Sequence, residues 1–173
     1  NLAQKAESFC AYHLGRVFRL GRDGTTEERQ SLGAILYGPR ARRGLRTGTE
    51  SALSFLDCKG LVEGILDLLR MDETMGWCRE ASAFLHPGRA AALVRDDKKL
   101  GTLGQVHPDV SDELGVPLFL LFELDFEGLL QYAPRRITAR SLPRFPSVER
   151  DFAIVVEGEF PSQQIISWIK NRG

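Results

Sequence analysis

Residues 117–126 read PLFLLFELDF, and this stretch decides the fold class. Leu118, Leu120, Phe122, Leu124 and Phe126 fall on one face at a period of two. The other face carries Phe119 and Leu121, then Glu123 and Asp125. The spacing predicts a strand over 117–126, buried on both faces at its start and wetter at its end. Just upstream, 89–106 reads as a hairpin. Ala90 to Arg95 is one strand, Leu100 to Val106 the other, and Asp96-Asp97-Lys98-Lys99 the polar turn between them. Pro108 to Leu114 reads as a short helix linking hairpin and strand.

Further out, 9–20 (FCAYHLGRVFRL) reads as a strand that ends at a Gly21–Gly24 turn, and 31–37 (SLGAILY) as another. Gly38-Pro39 stops the latter, because proline cannot donate to a ladder. Residues 57–70 carry the clearest helical stripe: Cys58, Leu61, Val62, Ile65, Leu66 and Leu69. Asp57 is the expected N-cap. Gly60 and Gly64 lie four apart, and each costs about 1 kcal/mol relative to alanine in a helix. Close approach of another element is the expected compensation. Hairpins without regular strand–helix alternation give an α+β fold, a mainly antiparallel sheet with flanking helices, and not a doubly wound nucleotide fold.

The region 133–147 holds Pro134, Pro143 and Pro146 among arginines and reads as a linker. Beyond it, Asp151–Glu157 reads as a strand and Pro161–Asn171 as a helix with Ile165, Trp168 and Ile169 on one side. The expected organisation is a core over 1–132, a linker over 133–147 and a short β-α element over 148–173. A lone strand and helix cannot bury their apolar faces, so the last part is expected to begin a second domain or to lean on the first. Asn1 at one end and Gly173 directly after an amphipathic segment at the other suggest a piece of a longer chain.

The bulk numbers exclude several classes. Hydrophobic residues make up 43% and charged residues 27%, a soluble globular balance. No apolar run reaches the roughly 18–20 residues of a membrane helix. Cys10, Cys58 and Cys78 are widely spaced with no CxxC pair, so a disulfide framework or a cysteine zinc site is not expected, and a reducing cytoplasm fits. Net charge is zero, but Arg135, Arg136, Arg140, Arg144 and Arg150 face only Glu149 among acids in their segment. These arginines are the candidate phosphate contacts; the plainer reading is a solvated linker face.

Chemistry has few footholds. The sequence contains no GxGxxG opening a helix, no GxxxxGK[ST], no HExxH and no GxSxG. His86 and His107 each precede a proline and flank the hairpin. With Glu123 and Asp125, two residues apart on one strand, they form the one candidate catalytic or metal-ligating pocket. The plainer readings are a turn cap for each histidine and a solvated or salt-bridged face for the acids. Arg89 is a candidate carboxylate or phosphate partner.

The order of segments carries a resemblance. LGRVFRL (14–20), FLDCKGLVEGIL (55–66), FLHPGRAAAL (84–93), LGTLGQVHPDV (100–110), LFELDFEGLL (121–130) and PRFPSVERDFAIVV (143–156) resemble, in order, segments of the bacterial phenylalanyl-tRNA synthetase β subunit. The resemblance implies a class II aminoacyl-tRNA synthetase-like core that is not itself catalytic. It implies that 148–173 are the incomplete start of a ferredoxin-like anticodon-binding domain. It further implies an α-subunit partner in an (αβ)2 heterotetramer, tRNA(Phe) rather than DNA as nucleic acid, no membrane, and a cytoplasmic ligase. ATP and Mg2+ would serve the whole enzyme, with no cofactor held by this chain. Class II chemistry needs a Gly-rich strand ending in arginine; Arg16, Arg89 and Arg95 lie on or beside strands, but none in that setting. Ala11-Tyr12-His13 departs from the Phe-Glu usual before the family's Ile-Gly. No catalytic, cofactor or metal residue is carried over.

Overall fold

The alternation in LLFELD becomes a central strand in the computed structural model, and its even residues become the middle of the core. The structure describes residues 8–21, 23–40, 52–71, 75–134, 148–151, 153–156, 160 and 162–172. Two compact units divide at Pro134/Arg135.

In the first unit, β1 (Phe9–Leu20), β2 (Thr26–Tyr37), α1 (Phe55–Leu68), β3 (Gly76–Arg79), β4 (Leu85–Arg95), β5 (Lys98–Val106), α2 (Pro108–Leu114), β6 (Leu120–Asp125) and α3 (Phe126–Leu130) follow in chain order. The strands form one six-stranded sheet in the order β1-β2-β6-β5-β4-β3. Every pairing is antiparallel. This bears out the α+β reading with a mainly antiparallel sheet and few helices.

The β4–β5 turn is tighter than expected. Asp96 and Asp97 alone form it, at φ 48° and 60°, the left-handed pair that a two-residue hairpin turn demands. Lys98 and Lys99 already belong to β5. Strand β2 begins five residues before the expected Ser31, because TEERQ is exposed and owes its extension to pairing with β1. Strand β6 begins at Leu120, and Phe126 leaves it to open α3. Strand β3 and helix α3 carry no periodic signal and were not expected.

Helix α1 starts two residues before the expected Asp57. Ser54 is the N-cap, and Asp57 sits at N3 and accepts from the Ser54 backbone N–H at 2.9 Å and hydroxyl at 2.7 Å. Cys58, Val62 and Leu66 are buried against the sheet, where Leu93, Leu103, Phe122 and Leu124 meet them. Burying each such side chain contributes about 1.5–3 kcal/mol. The expected close approach at Gly60 and Gly64 is not found among the described residues: a Cβ at either position would meet none of them within 4 Å. Both glycines lie on the side of α1 away from the sheet, where Leu61 and Leu68 are exposed.

Helices α1 and α3 contact the sheet through β2, β5 and β6. The core residues Ala34, Leu36, Leu103, Phe122 and Leu124 all alternate onto one face. The opposite face carries Ser31, Gly33, Ile35, Leu121, Glu123 and Asp125 in its middle strands.

In the second unit, α4 (Ser162–Arg172) forms where a helix was expected, and the Trp168 ring lies 5.6 Å from that of Phe160. Residues 153–156 are not in a strand, which corrects the expected strand over 151–157. Val155 is fully exposed: an extended apolar run becomes a strand only where a neighbour pairs with it, and none does among the described residues.

Candidate functional site

The bare face of the sheet is shaped by cross-strand register. His13 pairs with Gly33, and Gly33 with Glu123. One row across three strands therefore runs imidazole, glycine, carboxylate, on one face. The row on one side is Ala11, Ile35, Leu121; on the other it is Gly15, Ser31, Asp125. The first is apolar and the second polar, so the groove has a greasy end and a wet end. A cleft of about 450 Å3 opens here, lined among others by His13, Gly15, Ser31, Gly33, Ile35 and Glu123.

The polar groups are locally held. The buried Ser31 hydroxyl donates to Glu123 Oε1 at 3.0 Å and lies 3.2 Å from the Leu124 carbonyl oxygen. Asp125 accepts from the Gly128 backbone N–H at 2.8 Å, capping α3, and lies 3.9 Å from the Arg29 guanidinium. An adjoining cleft of about 300 Å3 joins Glu123 and Asp125 with Arg19, Arg29 and Lys99. Lys99 is itself paired with Glu80 at 2.5 Å.

The expected histidine–acid pocket is corrected. His86 Nδ1 accepts from the Gly88 backbone N–H at 3.0 Å. His107 Nδ1 accepts from the Asp109 backbone N–H at 3.3 Å and is the N-cap of α2. Each imidazole therefore spends a nitrogen on a His-Pro turn. Neither His86 nor His107 lines the clefts that contain Glu123 and Asp125. The alternative of a stand-alone catalytic domain built on these four residues is not supported. The described residues contain no cluster of three or more His, Cys, Asp or Glu side chains able to hold a metal.

Arg89 donates to Gln105 Oε1 at 2.7 Å, and not to an acid. Arg16 pairs with Glu28 at 2.7 Å. Of the five candidate phosphate contacts, Arg150 is exposed; Arg135, Arg136, Arg140 and Arg144 lie outside the described residues. Cys10, Cys58 and Cys78 are all free thiols. Cys58 is buried, and burial pushes its thiol up to about 12. No helix among the described residues is long and apolar enough to cross a membrane.

What the geometry defines is an antiparallel sheet with α1 and α3 on one face and, on the other, a groove lined by His13, Ser31 and Glu123. Comparison with known proteins gives this architecture its family. Residues 1–126 match the profile of the phenylalanyl tRNA synthetase beta chain CLM domain. The chain is 33% identical to the phenylalanine–tRNA ligase beta subunit of Bacillus licheniformis, over the whole chain and 22% of that protein. It is 33% identical to the beta subunit of Bacillus subtilis over the same shares, and 36% identical to that of Syntrophotalea carbinolica over 99% of the chain and 21% of that protein. The chain belongs to the phenylalanyl-tRNA synthetase beta chain family, and it spans about a fifth of the length of these relatives.

Proposed function

We propose that the chain acts within the β subunit of a phenylalanine–tRNA ligase, as a scaffold for assembly with an α subunit and for positioning tRNA(Phe). The observation that carries this reading is the family match over 1–126. In this reading the core is class II synthetase-like but not catalytic, and the second unit begins a ferredoxin-like anticodon-binding domain after a linker over 133–147. The α subunit carries the ATP and phenylalanine chemistry, with Mg2+, in a cytoplasmic (αβ)2 enzyme. Arg135, Arg136, Arg140, Arg144 and Arg150 would approach the tRNA backbone as positive charges.

Surface composition supports an assembly role. On β1, Tyr12 and Phe18 are 80% and 67% exposed, and on α1 Leu56 and Leu68 are 72% and 82% exposed. Exposed apolar side chains on two elements supply surface that a partner can cover.

The test is co-expression of the full-length β subunit with its α subunit, followed by size-exclusion chromatography. Wild type should elute as one assembly, and charged replacements at Phe18 and Leu68 should weaken it. Separate elution of folded subunits overturns the assembly role. Removing the five arginine charges should weaken tRNA binding and flatten its salt dependence while leaving phenylalanine activation intact. Unchanged tRNA affinity overturns the positioning role.

A further inference from the structure

Four glycines lie within β1, β2 and β5, and three have packing reasons. A Cβ on Gly15 would strike the His13 ring, one on Gly101 the Leu124 side chain, and one on Gly104 the Arg89 carbonyl oxygen at 2.8 Å. Gly33 differs. Among the described residues, a Cβ there would meet only the Phe122 carbonyl oxygen, at the ordinary contact distance of 3.8 Å. Its φ is not positive, and the pairing of β2 with β1 and β6 runs through it without a bulge. A mid-strand glycine with neither strain nor crowding to explain it marks a place where something else comes close to the backbone.

The surroundings say what kind of group that is. His13 and Glu123 flank Gly33 on the neighbouring strands, two strand spacings or about 10 Å apart. The missing side chain turns that interval into a slot floored by bare peptide. At one end Ala11, Ile35 and Leu121 offer apolar surface; at the other Ser31 steadies the Glu123 carboxylate. No Lys or Arg among the described residues lies within ion-pair distance of Glu123. Of the three cations that line the adjoining cleft, Arg29 faces Asp125, Lys99 holds Glu80, and Arg19 stands six residues along β1 from His13. An exposed carboxylate without a counter-ion, beside a flat apolar floor, complements a planar group with positive charge at one end.

We propose that the Gly33 slot between His13 and Glu123 is a binding site for a flat aromatic cation, an amidinium or ammonium, whose ring lies on the glycine and whose charge meets Glu123. The site needs only this chain's own residues and does not depend on the role proposed above.

The test uses the full-length protein and three probes of one shape: benzamidine, neutral benzamide and anionic benzoate. Binding is followed by saturation-transfer NMR and by the shift in melting temperature. Benzamidine should bind at low millimolar concentration, with benzamide about tenfold weaker and benzoate not bound. Glu123→Gln should bring benzamidine down to the affinity of benzamide. Gly33→Val should abolish both while far-ultraviolet dichroism is unchanged, and Gly33→Ala serves the same purpose if the valine variant folds poorly. Equal binding of the three probes overturns the proposal, as does benzamidine binding that survives Gly33→Val or Gly33→Ala. A slot that takes no probe also overturns it, and would indicate that another protein segment lies against Gly33.

Discussion

The Asp57 carboxylate accepts from both the backbone N–H and the hydroxyl of Ser54, three residues earlier, and so closes the first turn of α1. These two hydrogen bonds, the hydroxyl's first, hold the Asp57 carboxyl below its ordinary value of 3.8, with the Arg40 guanidinium 3.1 Å away adding to the effect. A carboxyl lowered by folding stabilises the protein above its unfolded value, and that contribution is lost as pH falls through the lower folded value. Asp57→Ala should therefore cost about 0.3–1 kcal/mol near neutral pH, the range for an acid in the first turn of a helix. The gap to wild type should close under strongly acidic conditions, and urea unfolding at the two pH values measures both. A gap that is constant with pH would mean the aspartate acts through something other than its charge.

Much of this architecture is legible locally, and the exceptions share a cause. The β4–β5 hairpin, α2 and β6 announce themselves through turn residues and alternation. The first half of β2 does not, because Thr26 to Gln30 bury nothing and are held by the β1 ladder. Phe126 continues the alternation of β6, yet Asp125 caps α3 and bends the chain away. Residues 153–156 show the converse, strand-like in composition but without a ladder. The groove was half legible. Period two puts Glu123 and Asp125 on one face, but only the register of three strands sets His13 and Gly33 beside Glu123. His86 and His107 looked convergent because they flank one hairpin; each instead caps its own turn.

The capping role of His107 gives a second test. Its imidazole satisfies one of the free N–H groups at the start of α2, so His107→Ala should cost about 1 kcal/mol. His107→Asn, which can cap in the same way, should recover most of it. Guanidinium unfolding of the three proteins decides the matter; failure of asparagine to rescue would point to a role beyond the cap.

Cys58 offers a chemical test of the α1 interface. The thiolate is the reactive form, and burial holds the Cys58 thiol at about 12 while Cys10 and Cys78 are exposed. Brief iodoacetamide treatment of the folded protein at mildly alkaline pH should label Cys10 and Cys78 and spare Cys58; unfolding in urea should bring in the third. Peptide mass spectrometry reads the sites directly. Early labelling of Cys58 would show that α1 lifts from the sheet far more readily than its packing against Leu124 and Phe122 suggests.

Two alanine substitutions on the strands that flank β6 should behave oppositely, although both replace a glycine within a strand. At Gly101 the new methyl would drive into Leu124, a fully buried residue at the centre of the core, and would sit 2.9 Å from the Glu123 carbonyl oxygen. Neither neighbour is the loose end of a flexible chain, so the strands must move apart, at a cost of about 1–3 kcal/mol. At Gly33 the methyl meets only ordinary contact, and the loss of glycine's freedom in the unfolded chain favours the folded state. Gly33→Ala should therefore be neutral or stabilising by up to about 1 kcal/mol. Melting curves of the two variants against wild type make the comparison. A Gly33→Ala protein as unstable as Gly101→Ala would show that the backbone at Gly33 is already closely packed, and would remove the open slot on which the proposed cation site depends.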